Sequence, residues 1–250
     1  MMMLELLADL HRHQKRQGPG GDAETKQAIE LAGLDPKAIL EVVDIGCGTG
    51  AATLQLARSL NANITAVDVL PEFIEVLKTR AKGEGLERKI DALVASMEDL
   101  PFEDGQFDLI WSEGAIYSMG FERGVKDWKR FLKPGGILAV SEITWTSSER
   151  PAELENFWQR AYPEIDTASN KIAVLEDSGY TPTGYFVLPE HCWRENYYQP
   201  VQDSFQEFLA RHAYSSEAQA LIDEETEEIA LYDRYNAYFS YGFYLAQKTA

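Results

Sequence analysis

The sequence is poor in cysteine and has no long apolar run. Cys47 and Cys192 are the only two cysteines in 250 residues, and no Cys or His pair stands beside them at metal-ligand spacing. No apolar run approaches the ~20 residues of a membrane-spanning helix. The first nine residues include two acids and have no basic leader, unlike a signal peptide. We therefore expect no disulfide framework, metal site or membrane span, and a cytoplasmic location.

Basic residues are also scarce. The chain has 23 Lys and Arg against 41 Asp and Glu, a net charge of -18, which would repel a phosphate backbone. We therefore expect no nucleic-acid partner. The densest basic stretch, residues 11–16, precedes the turn sequence GPGG at 18–21, and we interpret it as a mobile or capping element. Residues 217–228 hold six acids and no base, which favours a solvated helix face.

The first part of the chain alternates strand and helix patterns, which predicts a parallel sheet. The predicted strands are residues 38–44, 64–67, 92–94, 107–111 and 137–140, and the predicted helices are 22–33, 51–60, 71–82 and 123–132. After residue 145 we predict helices at 151–162 and 170–179, then strands at 185–188 and 237–245. These last two strands bracket a long, mostly helical insertion.

A glycine-rich turn follows the first predicted strand. Gly46, Gly48 and Gly50 would let the backbone approach a ligand closely, and the amides opening the next helix favour an anionic group. Gly46, Gly48 and Ala51 also fit the dinucleotide fingerprint. Asp68 ends the second strand, where a carboxylate can accept both ribose hydroxyls, although a turn or helix-capping role is the alternative. These residues alone leave nicotinamide and adenosyl sulfonium cofactors both open.

Four stretches in order carry a resemblance to a known family. Residues 43–50 (VDIGCGTG) resemble the first motif of class I S-adenosylmethionine-dependent methyltransferases, in which an acid precedes the glycines. Residues 64–68 (ITAVD), 96–102 (SMEDLPF) and 132–136 (LKPGG) resemble later motifs, with FDLI at 107–110 between the last two. The match spans residues 42–140 and is most similar to the group with ubiquinone/menaquinone-biosynthesis and sterol methyltransferases.

The resemblance implies a fold. We expect a Rossmann-like, doubly wound α/β fold whose mainly parallel, seven-stranded sheet ends in a C-terminal antiparallel strand. An N-terminal helical cap (1–21) would precede the cofactor-binding core (22–145). Residues 146–250 would complete the sheet and cover the substrate within the same domain, with a helical insertion between the last two strands.

The resemblance also implies S-adenosylmethionine as cofactor and S-adenosylhomocysteine as product. Asp44 and the backbone of Gly46, Cys47 and Gly48 would hold the methionine part, Asp68 the ribose, Val69, Ser96 and Met97 the adenine, and Glu113 would line the cleft. Ser96 and Met97 stand where the family often has Asp-Ala. We further hypothesise, from position and charge, that the segment with Arg16 and Gly18 folds over the cofactor and that Arg16 reaches its carboxylate.

Catalysis by in-line displacement needs mainly alignment, and a base only if the nucleophile must lose a proton. Glu113 and Tyr117 are our candidate catalytic residues, and Glu142 and His191 are further candidate bases. The C-terminal part is rich in aromatic residues, which suggests a substrate pocket. Candidates for its walls are Tyr117, Trp145, Tyr162, His191 and Trp193, with Trp158, Tyr197 and Tyr198 as further rings; core packing is the alternative for each.

The sequence leaves the acceptor unidentified. We expect a small molecule whose methyl-accepting atom is oxygen, nitrogen, carbon or a metalloid. The rings of residues 238–244 fit the core or a subunit interface, so a homodimer is an open expectation. Two alternative functions remain: a nicotinamide-dependent oxidoreductase and a non-catalytic module that binds the cofactor.

Overall fold

The computed structural model describes residues 2–249, so Met1 and Ala250 of the predicted cap and C-terminal part lie outside the described residues. The strands are β1 Leu40–Ile45, β2 Ala62–Asp68, β3 Ile90–Val94, β4 Phe107–Glu113, β5 Leu132–Trp145, β6 Asp166–Thr167, β7 Tyr180–Val187 and β8 Phe239–Lys248. The α-helices are α1 Met2–His11, α2 Asp22–Leu31, α3 Ala51–Ser59, α4 Pro71–Gly83, α5 Phe121–Trp128, α6 Ala152–Ala161, α7 Ala168–Asp177, α8 Glu190–Trp193, α9 Gln199–Arg211 and α10 Ser216–Tyr235. Within residues 2–249, no helix combines the length and the apolar character that crossing a membrane requires.

The sheet has the strand order β3-β2-β1-β4-β5-β8-β7, with the short β6 paired to β5. The first five strands run parallel, and β8 lies antiparallel between β5 and β7. Because side chains alternate along each strand, Val42 and Leu109 enter one apolar cluster and Val43 and Ile110 another. Helices α2, α3 and α6 cover the first cluster, and α5 and α7 cover the second. The predicted Rossmann-like fold is confirmed.

The predicted insertion lies between β7 and β8. It comprises α8, a π-helical turn at Arg194–Tyr198, α9 and α10. The N-terminal helix α1 packs on α9 and α10 of this insertion. Its residues Leu6 and Leu10 share a buried cluster with Val201, Phe208 and Leu221. The two ends of the chain therefore fold together.

Several predicted boundaries were wrong. The 132–136 motif does not end a helix before a separate strand, because β5 already begins at Leu132. Leu132 pairs with Phe107 and Ile137 with Leu109, so the intervening proline and glycines form a bulge within the strand. Strand β7 begins at Tyr180, five residues before its predicted start at Tyr185, and the two-residue β6 was not predicted.

The basic N-terminal segment caps the core. Gln17 accepts a hydrogen bond from the backbone amide of Thr49 (2.8 Å) ahead of α3. Arg80 of α4 donates to the carbonyl oxygens of Gln14 (2.8 Å) and Lys15 (3.1 Å). Of the two interpretations of this segment, the capping one therefore agrees with the structure.

The turn between β1 and α3 requires glycine at its last position. Gly50 has φ = 91°, and a Cβ there would lie 2.2 Å from Cδ1 of the buried Leu77, whereas one at Gly33 (φ = 61°) would meet open space. We expect Gly33→Ala to lower the free energy of unfolding by about 1 kcal/mol through backbone strain alone. Gly50→Ala should cost roughly 1–3 kcal/mol more, because the methyl group overpacks the core. Urea denaturation measures both, and equal losses would contradict this account.

Candidate functional site

A cavity of about 490 Å³ opens at the carboxyl ends of β1, β2 and β4. Its size is typical of small-molecule sites, and it lies where the strand order reverses between β1 and β4, the usual ligand position in such sheets. All the residues predicted to bind the cofactor line it: Arg16, Gly18, Asp44, Gly46, Cys47, Gly48, Asp68, Val69, Ser96, Met97 and Glu113. The structure thus brings these residues together around one space.

The glycine turn and the second strand are joined at the edge of the cavity. Asp68 accepts hydrogen bonds from the amides of Gly48 (2.9 Å) and Leu70 (3.0 Å). Burial raises the pKa of Asp68, although these backbone hydrogen bonds oppose the shift. Gly46 (φ = 74°) allows the turn to pass close to the residues after β4, since a Cβ there would lie 2.3 Å from Cβ of Ala115.

Asp44, at the end of β1, is a buried carboxylate that lines the cavity and is 1% exposed. Thr53 donates a 2.6 Å hydrogen bond to it, and no ion pair reaches it within residues 2–249. Burial raises the pKa of Asp44 to about 7; the Thr53 hydrogen bond opposes this shift, and the charges of Glu113 and Asp68 add to it. Such a carboxylate favours a cationic ligand group.

Arg16 enters the cavity from the capping segment and is 6% exposed. Its guanidinium donates to Glu113 (2.8 Å) and Asp22 (3.1 Å). The other oxygen of Glu113 accepts from Thr25 (2.7 Å) and the indole nitrogen of Trp111 (3.1 Å). Both oxygens of Glu113 are therefore engaged, which favours a role in positioning Arg16 over the predicted role as a catalytic base.

Another part of the cavity wall carries tyrosine and glutamate side chains. Tyr117, in a short 3-10 turn after β4, is 47% exposed and lines the cavity. Tyr197 of the π-helical turn and Glu225 and Glu228 of α10 line it too. Leu4, Leu7 and His11 of α1 complete this wall.

The acidic run at 217–228 is thus only partly the solvated face that the sequence suggested. Glu217, Asp223, Glu224 and Glu227 are exposed, but Glu225 and Glu228 are partly buried in the cavity wall. The spacing of residues along the helix could have separated the two partly buried glutamates from the exposed acids. Glu225 and Glu228 share the face of the buried Leu221 and Tyr232, spaced four, three and four residues apart.

Trp145 and Trp193 lie outside the cavity wall and pack in the core instead. The Trp193 ring stacks on Tyr232 (4.7 Å between centroids), and its indole donates to Ser240 (2.9 Å). Trp145 is buried against Phe239. Their prediction as substrate-pocket residues fails because the aromatic enrichment that singled them out also serves core packing.

Three other predicted residues also lie outside the residues that line the cavity. The imidazole Nε2 of His191 lies 3.2 Å from the carboxylate of Glu24. Glu142 is fully buried and pairs with Lys171 at 3.3 Å, so it is not free to act as a base. Tyr162 packs edge-to-face on Tyr117 (6.0 Å between centroids), behind the cavity wall.

Comparison with known proteins shows which family part of the chain resembles. Residues 43–140 match the family model described as a methyltransferase domain. This part of the chain is therefore similar to methyltransferase domains. The methyltransferase GfsG of Streptomyces halstedii is 35% identical over 124 residues, which are 49% of this chain and 44% of GfsG. In four of the curated relatives the match spans 35–56% of their length. The resemblance predicted from the four motifs is confirmed.

Solved structures support the fold. A methyltransferase from Geobacter sulfurreducens in complex with S-adenosylhomocysteine has a TM-score of 0.81 at 18% identity, covering 98% of this chain and 97% of its own. The [4+2]-cyclase SpnF has a TM-score of 0.76 at 21% identity, covering 100% and 93%. The cyclase shows that this fold also serves other reactions.

The Arg16 hypothesis leads to a binding prediction. We expect Arg16→Ala to weaken S-adenosylhomocysteine binding at least tenfold, because a charge-assisted contact to the ligand carboxylate is lost. Arg12→Ala is the matched control, since Arg12 pairs with Asp9 and does not line the cavity. Calorimetric titration measures both dissociation constants, and circular dichroism checks folding. An unchanged constant for Arg16→Ala would remove the hypothesis.

Asp44 should make cofactor binding depend on pH. With a pKa of about 7, its carboxyl group must lose a proton before it pairs with the ligand ammonium. Affinity should therefore rise up to about tenfold per unit as pH increases from 5.5 to 6.5, and level off above 7. The Asp44→Asn variant should lose the part of the pH dependence of affinity that comes from Asp44 and keep any part that comes from Asp68. Equal slopes in wild type and Asp44→Asn would contradict the assignment.

Proposed function

We propose that the protein transfers the methyl group of S-adenosylmethionine to a small-molecule acceptor by in-line displacement. The observation that carries the proposal is that one cavity joins the predicted cofactor residues to the tyrosine- and glutamate-bearing wall. When bound, the cofactor supplies an electrophilic methyl group on a sulfonium.

The residues present fit this cofactor. Asp44 is a buried carboxylate without an ion-pair partner among the described residues, which suits the ammonium of the methionine part. Arg16 suits the ligand carboxylate. Asp68, fixed by two backbone amides, suits the ribose hydroxyls, and Val69 and Met97 offer apolar surface to the adenine. The cavity thus presents complementary groups to each part of the cofactor.

The remaining residues orient the acceptor and exclude water. Helices α1 and α10 contribute Leu4, Leu7 and Glu228 to the cavity wall, and we propose that they close over the bound cofactor and acceptor. Such closure lets proximity supply ~7–11 kcal/mol of the activation barrier. Tyr117 follows the strand that carries Glu113 and stands next to the acceptor space. We assign it to acceptor positioning and assign Glu113 to holding Arg16.

Cofactor titration separates this proposal from a nicotinamide-dependent oxidoreductase. We expect S-adenosylhomocysteine to bind and NADH not to bind under the same conditions. Asp68→Ala should weaken binding at least 10- to 100-fold, because even one hydrogen bond to a charged group is worth roughly 1.5–3 kcal/mol. Asp99→Ala, at an exposed position outside the cavity, should change nothing. Binding of NADH alone would overturn the proposal.

Turnover separates an enzyme from a non-catalytic binding module. Labelled S-adenosylmethionine is incubated with the protein and a pool of small-molecule amines, alcohols, phenols and thiols. We expect label in an extractable product, and less of it with Asp68→Ala. Cofactor binding without transfer to any member of such a pool would favour the binding module.

A further inference from the structure

We propose that the acceptor is an amine, bound as its ammonium ion between the rings of Tyr117 and Tyr197 and the carboxylates of Glu225 and Glu228. This inference rests on the proposed function and names its substrate class. The four residues, together with His11, line the same cavity as the cofactor residues. They come from α1, the turn after β4, the π-helical turn and α10, so the fold assembles this subsite from distant parts of the chain.

The charges of this subsite favour a cation. Glu228 accepts a 2.8 Å hydrogen bond from the Tyr198 hydroxyl and has no ion-pair partner within residues 2–249. Glu225 faces the imidazole of His11 at 3.5 Å. Arg16 is the one Lys or Arg among the described lining residues, and the proposed function assigns it to the cofactor carboxylate. An anionic acceptor would meet two carboxylates and no free cation, whereas an ammonium would be paired.

The aromatic walls are a separate observation that points to the same ligand. Tyr117 and Tyr197 both line the cavity, and the faces of tyrosine rings attract ammonium groups by cation–π interaction. Tyr197 stacks on His11 (6.0 Å between centroids, 19° between planes), which fixes its orientation. His11 is 4% exposed and lines the cavity, and its Nδ1 atom has no hydrogen-bond partner among the described residues.

The π-helical turn explains how neighbouring tyrosines serve one subsite. Its wider winding places Tyr197 in the cavity wall while the next residue, Tyr198, reaches Glu228. Such turns are often found at functional sites. Tyr198 thereby orients the Glu228 carboxylate from behind.

Glu228 is also suited to accept the proton that the ammonium ion must lose before the nitrogen can be methylated. Burial and the charge of Glu225 raise its pKa to about 7, although the Tyr198 hydrogen bond opposes the shift, so it can accept and release a proton near neutral pH. The ammonium gives one proton to Glu228, and the freed nitrogen lone pair forms the N–C bond. The C–S bond breaks with its electron pair left on sulfur as a thioether. The product is an N-methylammonium ion, and Glu228 returns its proton to water.

The test uses two probes of one shape and different charge. Choline and 3,3-dimethyl-1-butanol are titrated into the protein saturated with S-adenosylhomocysteine. We expect choline to bind at least tenfold more tightly than the neutral alcohol. Glu228→Gln should remove most of this preference, whereas Glu224→Gln on the exposed face of α10 should keep it. Tyr197→Phe should retain choline binding and Tyr197→Leu should weaken it, because only the first keeps the ring.

The outcomes distinguish this inference from the proposed function. If S-adenosylhomocysteine binds but choline shows no preference over the alcohol, the amine proposal is overturned and the proposed function stands. A choline preference that survives Glu228→Gln in a folded protein also overturns it. If S-adenosylhomocysteine itself does not bind, the proposed function is overturned, and the amine inference, which rests on it, is overturned too.

Discussion

The hydrogen bond from the Gly48 amide to the Asp68 carboxylate is the constraint on which the site depends. It joins the turn after β1 to the end of β2 at 2.9 Å. Parallel pairing of β1 and β2 puts Asp44 beside Ala66 and brings both carboxyl ends to one edge of the sheet. Two carboxylates distant in sequence thereby line one cavity, and the proposed function assigns Asp44 to the ammonium and Asp68 to the ribose of the cofactor.

The chain then closes this edge with its two ends. The N-terminal segment caps α3 through Gln17 and delivers Arg16, and α1 packs on α9 and α10 of the C-terminal insertion. Because the insertion also carries Tyr197, Glu225 and Glu228, the packing of α1 on α9 and α10 also helps to form this part of the cavity wall.

The cofactor half was predictable because local sequence determines it. Asp44 and the three glycines lie within residues 44–50, and Asp68 ends the next strand, so the local patterns could place them without knowing the rest of the fold. The acceptor half was not, since it depends on which face of α10 meets α1. Trp145 and Trp193 were misplaced for the same reason: composition shows that rings are present, and only packing shows that Trp193 stacks on Tyr232. The expected homodimer and the absence of a nucleic-acid partner stay predictions.

A crystal structure of the protein with bound S-adenosylhomocysteine tests the central claim most directly. The account predicts the ribose at Asp68, the ammonium of the amino-acid tail at Asp44, and the sulfur directed at the space between Tyr117 and Glu228. A ligand bound elsewhere, or one whose sulfur faces away from that space, would contradict it.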